Sequence, residues 1–268
     1  MIQNRTHIAI VLGIATLVSV MLIRSLWLSS TAEPAKSANR PMAGVTGIHK
    51  PVSREEFLDE IFKEVRPTDF VARNIRISPE KVSEDTLRAL WKWSAESGIE
   101  PLSATLEADI AEKNPTQDNI TSAARNLVFG GAEFRDYPLI SDYLMQRGKT
   151  LIDRGMEMNP NNVPLRNALI TYISEYENEP MKFLGVLRET LAIDSNNVET
   201  HFIHLGLLRK SGQWKKAVAK CEKLISLQPQ NPVWLFQLSD IYGQMGDREN
   251  SKTYRDLAIK AERNQKNK

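Results

Sequence analysis

The sequence predicts an all-α fold built from successive helical hairpins. Apolar residues recur at helical spacing from Ser53 onward, and no stretch alternates between apolar and polar residues as a strand would. Glycine, proline and asparagine separate the helical stretches, which is typical of turns. Three helix endings also resemble one another, and they read GMEMNPNNVP, LAIDSNNVE and LISLQPQNP. Recurring endings of this kind indicate an internal repeat.

The N-terminus predicts a membrane anchor followed by a linker. No charged residue interrupts the stretch from Ile8 to Ile23, and Arg24 can reach the membrane interface, so that residues 8–28 can span a bilayer. We therefore expect residues 1–30 to be a short tail and an uncleaved single transmembrane helix. A signal peptide cleaved after Ala32 is the alternative, although its apolar run would be unusually long. Residues 31–52 contain three prolines and two glycines, which predicts a flexible linker.

The first part of the body, residues 53–128, predicts several helices. Ser53 and Glu56 match a capping box, and the helix after them places Phe57, Ile61 and Phe62 on one face. Its end is predicted at the following proline.

A later helix in this part carries Leu87, Leu90 and Trp91 on one face and is expected to end at Gly98 in the left-handed conformation. Trp91 is therefore predicted to be a core residue. Trp93 cannot share that face, so we expect it at the surface or at a seam between helices.

Residues 129–265 carry the repeat, and residues 266–268 are predicted to be a tail. Pro160, Ser195 and Pro229 mark the similar endings and are 35 and 34 residues apart. A period of 34 residues with two helices per unit is typical of tetratricopeptide repeats. The sequence therefore resembles the tetratricopeptide repeat family, with units at about 164–197, 198–231 and 232–265. Weaker copies are predicted at 84–117 and 117–162.

Several residues stand at the spacings that the family uses. They are Gly212, Trp214, Ala217, Leu224 and Pro229 in the middle unit, and Leu238, Tyr242, Gly246 and Ala258 in the last. Ser251 stands where a small residue is expected. In the middle unit, Phe202, Leu205 and Gly206 imitate a family pattern, but with a register that is uncertain by one residue. The unit at 164–197 is degenerate, because ENEP replaces the inter-helix glycine and Ser195 replaces the terminal proline.

The resemblance implies a right-handed superhelix whose concave face is lined by the first helix of each unit. The residues predicted to contact a peptide on this face are Tyr172, Tyr176, Phe202, Arg209, Lys210, Phe236, Asp240 and Gln244. The aromatic residues among them can instead pack between repeats. The carboxylate clamp of some family members is missing here, because its places hold residues such as Ala168, Gly206 and Asp240.

Other candidate chemistry is weak, and no cofactor, metal or catalytic residue is predicted. His201 and His204 are three residues apart on one helix, but zinc needs three or four ligands, so we expect a packing or groove role. Cys221 is the only cysteine and is expected to be a buried thiol. The adjacent glycines of FGGAEF lack the lysine and the strand of a phosphate loop. The net charge of +2 gives no reason to expect nucleic-acid binding.

The sequence therefore predicts a non-enzymatic scaffold that binds a protein or peptide partner. Two alternatives remain: a periplasmic chaperone or assembly factor that holds client polypeptides, including apocytochromes c, and a structural module that associates with itself. The chain resembles bacterial membrane-anchored tetratricopeptide proteins, which implies a single-pass protein of the bacterial inner membrane. Positive charges after the span favour a cytoplasmic body, but long domains translocate largely regardless of charge, so we expect the C-terminal domain in the periplasm.

Overall fold

The computed structural model describes residues 49–266, and every regular element in that range is helical. The predicted all-α fold is thus confirmed for the body of the chain. The predicted anchor and most of the predicted linker lie outside the described residues. Among the helices from residue 49 to residue 266, none combines the length and the apolar character that crossing a bilayer requires.

Twelve α-helices follow one another in the described range. Their bounds are α1 Arg54–Ile61, α2 Asp69–Asn74, α3 Glu84–Glu96, α4 Glu100–Lys113, α5 Gln117–Glu133, α6 Pro138–Met158, α7 Val163–Tyr172, α8 Pro180–Ile193, α9 Val198–Lys210, α10 Trp214–Leu227, α11 Pro232–Gln244 and α12 Arg248–Lys266. A 3₁₀ turn at Pro79–Lys81 precedes α3, and a π-helical turn at Ile173–Glu177 extends α7. From α3 onward, consecutive helices pack as five hairpins.

The first helix begins as the sequence predicts. The Ser53 hydroxyl accepts a hydrogen bond from the Glu56 backbone N–H at 3.2 Å, and the Glu56 carboxylate accepts one from the Ser53 backbone N–H at 2.8 Å. This reciprocal capping box satisfies two of the backbone donors that a helix start leaves free. Phe57 and Leu58 then bury their side chains completely in the core.

Left-handed residues make the turns inside four of the five hairpins. Gly98, Gly212 and Gly246 have φ angles of 68°, 67° and 80°. Glycine adopts this conformation without the steric penalty of a Cβ, so it terminates the first helix of a hairpin cleanly. In the degenerate unit, Asn178 takes the same role with a φ of 55°. Asparagine tolerates the left-handed region better than most residues, which explains how ENEP can replace the glycine.

Asparagines begin the first helices of the last three hairpins. The side chains of Asn162, Asn197 and Asn231 accept hydrogen bonds from backbone N–H groups one turn into α7, α9 and α11, at 3.0–3.1 Å. An asparagine at this position is a strong helix cap. The similar endings in the sequence are therefore the junctions between hairpins, and the predicted units agree with the observed helices.

The apolar core is divided into two clusters. One extends from Phe57 to Ile173 and the other from Leu205 to Ile241. The contact between α7 and α9 lies between them and is polar: the Thr200 hydroxyl donates to Asn167 Oδ1 at 2.8 Å and lies 2.9 Å from Asn197 Oδ1. We call these three residues the polar seam. Asn167 and Thr200 are buried, so their hydrogen bonds to one another offset the cost of removing them from water.

Glycines let α5 and α6 approach each other closely. A Cβ at Gly131 would lie 2.8 Å from Met145 Cγ, and one at Gly148 would lie 2.7 Å from Val128 Cγ2. Real Cβ atoms do not come so near, so these positions require glycine. Gly131, the second of the adjacent glycines in FGGAEF, therefore has a packing role.

One prediction about an individual position was wrong. Trp91 is 41% exposed, whereas Trp93 is half-buried and packs against the first cluster. The buried face of α3 consists of Leu87, Leu90 and Ser94, and Trp91 lies beside that face rather than on it. Gly206 is exposed, and no atom lies within 4 Å of its Cβ position. The boundary predicted after residue 128 falls inside α5.

Candidate peptide-binding surface

The two predicted tyrosines lie at the end of α7 in internal contacts. Tyr172 is only 8% exposed, and its ring centroid lies 5.3 Å from that of Tyr176. Burial raises the pKa of each phenol to about 12. Tyr172 belongs to the first apolar cluster, and Tyr176 is half-buried against it. Tyr172 therefore offers little surface to a partner.

Residues His49–Val52, which we call the strap, cover Tyr176. The His49 ring stacks on the Tyr176 ring with a centroid separation of 3.7 Å. Its Nδ1 lies 2.9 Å from Asp142 Oδ1, and its Nε2 lies 3.3 Å from the Tyr176 backbone oxygen. The contacts with Asp142 cross 93 positions of sequence, so the predicted linker is docked at its C-terminal end.

Shortly after the strap, Arg54 at the start of α1 joins an ion cluster around the buried Asp109. The Asp109 carboxylate, whose side chain is 0% exposed, accepts from Arg54 at 3.1 and 2.7 Å and from Arg147 Nη2 at 2.5 Å. Arg147 also contacts Glu112 at 3.0 Å. A pocket of about 340 Å³ opens beside these groups and carries both signs of charge, including Lys113. The arrangement fastens α1 to α4 and α6 through charge-assisted hydrogen bonds.

The other predicted contact residues lie on α9 and α11. Phe202 packs against the second cluster with its ring centroid 5.6 Å from the Trp234 ring. It is therefore chiefly an inter-hairpin core residue, which is the alternative that the sequence left open. Phe236 is half-buried and lies outside that cluster. Phe236 is thus the predicted aromatic residue with the clearest opportunity to contact a partner.

The remaining predicted contact residues are charged or amide side chains on α9 and α11. Arg209 of α9 donates to the side-chain oxygen of Gln237 on α11, and Lys210 forms an ion pair with Glu175. Asp240 is exposed, but neighbouring protein atoms remove part of its hydration, and this desolvation raises the pKa of its carboxyl. The positive charges of Arg209 and Arg255 lower the same pKa. Gln244 is exposed at the end of α11. The structure therefore places Arg209, Lys210, Phe236, Asp240 and Gln244 on neighbouring helices.

The two histidines of α9 have packing roles. His201 is buried, with Nε2 2.9 Å from the Ser195 backbone oxygen and Nδ1 3.1 Å from Lys220 Nζ. His204 Nδ1 is buried and has no hydrogen-bond partner. No group of three His, Cys, Asp or Glu side chains within residues 49–266 is arranged to hold a metal ion. Cys221 is buried, its thiol donates to the Trp234 backbone oxygen at 3.1 Å, and burial raises the pKa of the thiol to about 12.

We expect the protein to lose stability as the pH falls from about 6.5 to about 4, in part through His204. Burial, reinforced by the charge of Lys220, lowers the pKa of His204 from 6.5 to about 4. Between these values the unfolded chain binds a proton that the folded protein does not bind, so acid favours unfolding. The variant His204→Phe should lack this contribution. Urea unfolding at pH values near 7 and near 4 tests this, because the stability of the variant relative to the unsubstituted protein should rise at the lower pH. If the difference in unfolding free energy between the variant and the unsubstituted protein is the same at both pH values, the prediction is wrong.

No family model matches the sequence, and no curated protein matches it. Among solved structures, a MamA fragment from Desulfovibrio magneticus RS-1 matches 68% of this chain and 96% of its own, with 14% identity and a TM-score of 0.47. A second MamA structure matches 67% of this chain and 98% of its own, with 12% identity and a TM-score of 0.47. YrrB, described as a TPR protein with an unusual peptide-binding site, matches 72% of this chain and 92% of its own, with 13% identity and a TM-score of 0.40.

These similarities are low, and the geometry of the chain itself is more informative. The hairpins α7–α8, α9–α10 and α11–α12 each have a left-handed residue at their inner turn and an asparagine cap at their start. Their caps recur at the predicted period. The resemblance to the tetratricopeptide repeat family that the sequence indicated is therefore confirmed as a likeness of fold.

Proposed function

We propose that this chain is a protein-interaction scaffold that binds a partner segment along α9 and α11. The observation that supports the proposal most is the position of Phe236. Its side chain is only partly buried on α11 and lies outside the second apolar cluster. Aromatic side chains surrounded by polar ones are typical anchors of protein interfaces, because they bury much area at a small entropic cost.

The polar groups on α9 and α11 suggest what the partner carries. Arg209 and Lys210 already have partners in Gln237 and Glu175, whereas Asp240 presents an exposed carboxylate. A segment with an apolar side chain for Phe236 and a cationic side chain for Asp240 would be complementary. Charge complementarity of this kind contributes mainly to the selection of the partner and to the rate of association.

The test is site-specific photo-crosslinking of the full chain in its native cells. A benzophenone amino acid is placed at position 236, and the matched control carries it at position 252, where Lys252 is exposed on α12. We expect one discrete adduct from position 236 and none from position 252. Asp240→Lys should weaken binding of the identified partner by about tenfold, the loss of one charged contact. Identical adducts from both positions, or no adduct at position 236, would contradict the proposal.

The same experiment separates the rival functions. A periplasmic chaperone or assembly factor would give many adducts of different mass, because it holds unrelated clients. A self-associating module would give an adduct of twice the mass of the chain. A scaffold for one partner gives a single adduct whose mass differs from both.

We further propose that residues 8–28 anchor the chain in a bacterial inner membrane and that the C-terminal domain lies in the periplasm. The uncharged stretch from Ile8 to Ile23 and the flanking Arg24 and Trp27 support this proposal. Reporters fused after Lys268 test it. A reporter that works only after export should be active, and activity of a reporter that works only in the cytosol would overturn the proposed topology.

A further inference from the structure

We propose that Asp142, Gln146 and Tyr176 form a second peptide-binding site, which the strap occupies in cis and which an external peptide of the same chemistry can occupy when the strap leaves. This site is separate from the surface on α9 and α11. It lies on α6 and on the π-helical turn after α7, and the strap reaches it in a non-helical conformation.

Gln146 holds the strap by its main chain. Its side-chain oxygen accepts from the Val52 backbone N–H at 3.2 Å, and its side-chain nitrogen donates to the Lys50 backbone oxygen at 2.9 Å. The same nitrogen lies 3.0 Å from the Tyr176 hydroxyl, which orients the amide. One amide that pairs with the N–H and the C=O of residues two apart recognises an extended backbone whatever its side chains are. This is the chemistry of peptide recognition through main-chain hydrogen bonds.

The position of His49 supplies the selectivity. A planar ring stacks on Tyr176 at 3.7 Å, and both atoms that face its nitrogens are acceptors, namely Asp142 Oδ1 and the Tyr176 backbone oxygen. A ring that donates from both nitrogens satisfies both acceptors. Planar cations such as imidazolium and guanidinium combine this donor pattern with favourable stacking on an aromatic face. The site therefore suits an extended peptide with histidine or arginine one residue before the two residues whose main chain Gln146 binds begin, as His49 precedes Lys50.

The strap is held more weakly than the helix that follows it. The His49 side chain is 34% exposed, and the hydrogen bonds of His49 and of the Lys50 carbonyl are solvent-accessible. By contrast, Phe57 is fully buried and stacks on Tyr143 with a centroid separation of 4.3 Å. Exposed polar contacts contribute little net stability, whereas a buried aromatic residue contributes much. The strap can therefore leave its site while α1 stays in place.

Binding of a labelled peptide to the full chain tests the proposal. The probe has the sequence GIHKPVS, which is that of residues 47–53, and the control peptide GIGKPVS lacks the imidazole. The receptor variant His49→Gly weakens the strap and should bind the probe about tenfold more tightly than the unsubstituted protein, because the site is more often vacant. The control peptide should bind this variant at least about tenfold more weakly than the probe does.

Two further variants locate the site. Gln146→Ala in the His49→Gly background should abolish probe binding, and Asp142→Asn in the same background should weaken it, while the circular dichroism of both remains that of the folded protein. In the unsubstituted protein, saturating probe should accelerate hydrogen exchange at the Val52 amide without changing exchange in α6. The proposal is overturned if neither form of the receptor binds the probe, or if Gln146→Ala and Asp142→Asn leave its affinity unchanged. Photo-crosslinking at position 236 is independent of each of these results.

Discussion

Replacement of Asp109 by alanine is expected to destabilise the N-terminal hairpins by about 3–5 kcal/mol, because two partly buried guanidinium groups lose a fully buried counterion. The carboxylate bridges Arg54 of α1 and Arg147 of α6 from a position with no solvent exposure. Burial alone lowers the pKa of Arg147, but the charges of Asp109 and its neighbours more than offset this, so that the pKa lies above its ordinary value. Removal of the carboxylate leaves Arg147 with the partly exposed Glu112 as its remaining ion-pair partner, so that burial of the cation is less well compensated.

Urea unfolding followed by far-ultraviolet circular dichroism measures this effect. Glu112→Ala is the matched control, since Glu112 contacts the same Arg147 at 3.0 Å but its side chain is 39% exposed. An exposed ion pair of this kind is worth at most about 1 kcal/mol. Asp109→Asn, which keeps the shape and one acceptor oxygen, should fall between the two. Equal losses for Asp109→Ala and Glu112→Ala would show that the buried cluster contributes no more than a surface pair.

Leu238→Ala is expected to lower the free energy of unfolding by about 2–5 kcal/mol, and only the C-terminal hairpins should be destabilised. Leu238 is fully buried in the second apolar cluster. This cluster meets the first one through the polar seam rather than through shared apolar side chains. In stacked repeats, stability is the sum of terms for each repeat and for contacts between nearest neighbours. A cavity in one cluster therefore leaves the stability of a distant cluster unchanged.

Native-state hydrogen exchange distinguishes local from global loss. In Leu238→Ala, amides of α9 to α12 should exchange faster, while amides of α5 and α6 keep their protection. Leu127→Ala is the matched control, because Leu127 is equally buried in the first cluster and should give the opposite pattern. If both variants accelerate exchange in all helices to the same extent, the two clusters unfold as one unit.

Local signals made much of the fold predictable. A cap depends on its own residue and on the backbone two or three residues later, so the Ser53 cap could be identified within a few positions. The caps at Asn197 and Asn231 are equally local, but they were not predicted. A left-handed turn needs glycine or asparagine, which identified Gly212 and Gly246. Ser251 stands where a small residue was expected, and its backbone oxygen accepts a hydrogen bond from the Ser239 hydroxyl at 2.7 Å.

The contacts that the sequence did not reveal join distant positions. Asp109 lies 55 residues from Arg54 and 38 from Arg147, and no periodic pattern connects them. The same holds for the strap, whose proline suggested only a linker, although Gln146 binds it from more than 90 residues away. Of the predicted peptide-contacting residues, Tyr172 and Phe202 are mainly packing residues. A helical wheel shows that a side chain leaves one face, but not which neighbouring element covers that face.

The polar seam restricts rotation between neighbouring hairpins. Its hydrogen bonds between Asn167, Asn197 and Thr200 are directional, and Asn167 and Thr200 are buried. A rotation of α9 against α7 would therefore leave buried polar groups without partners, which costs more than the same rotation across an apolar contact. The seam thus fixes how the last two hairpins are turned relative to α7.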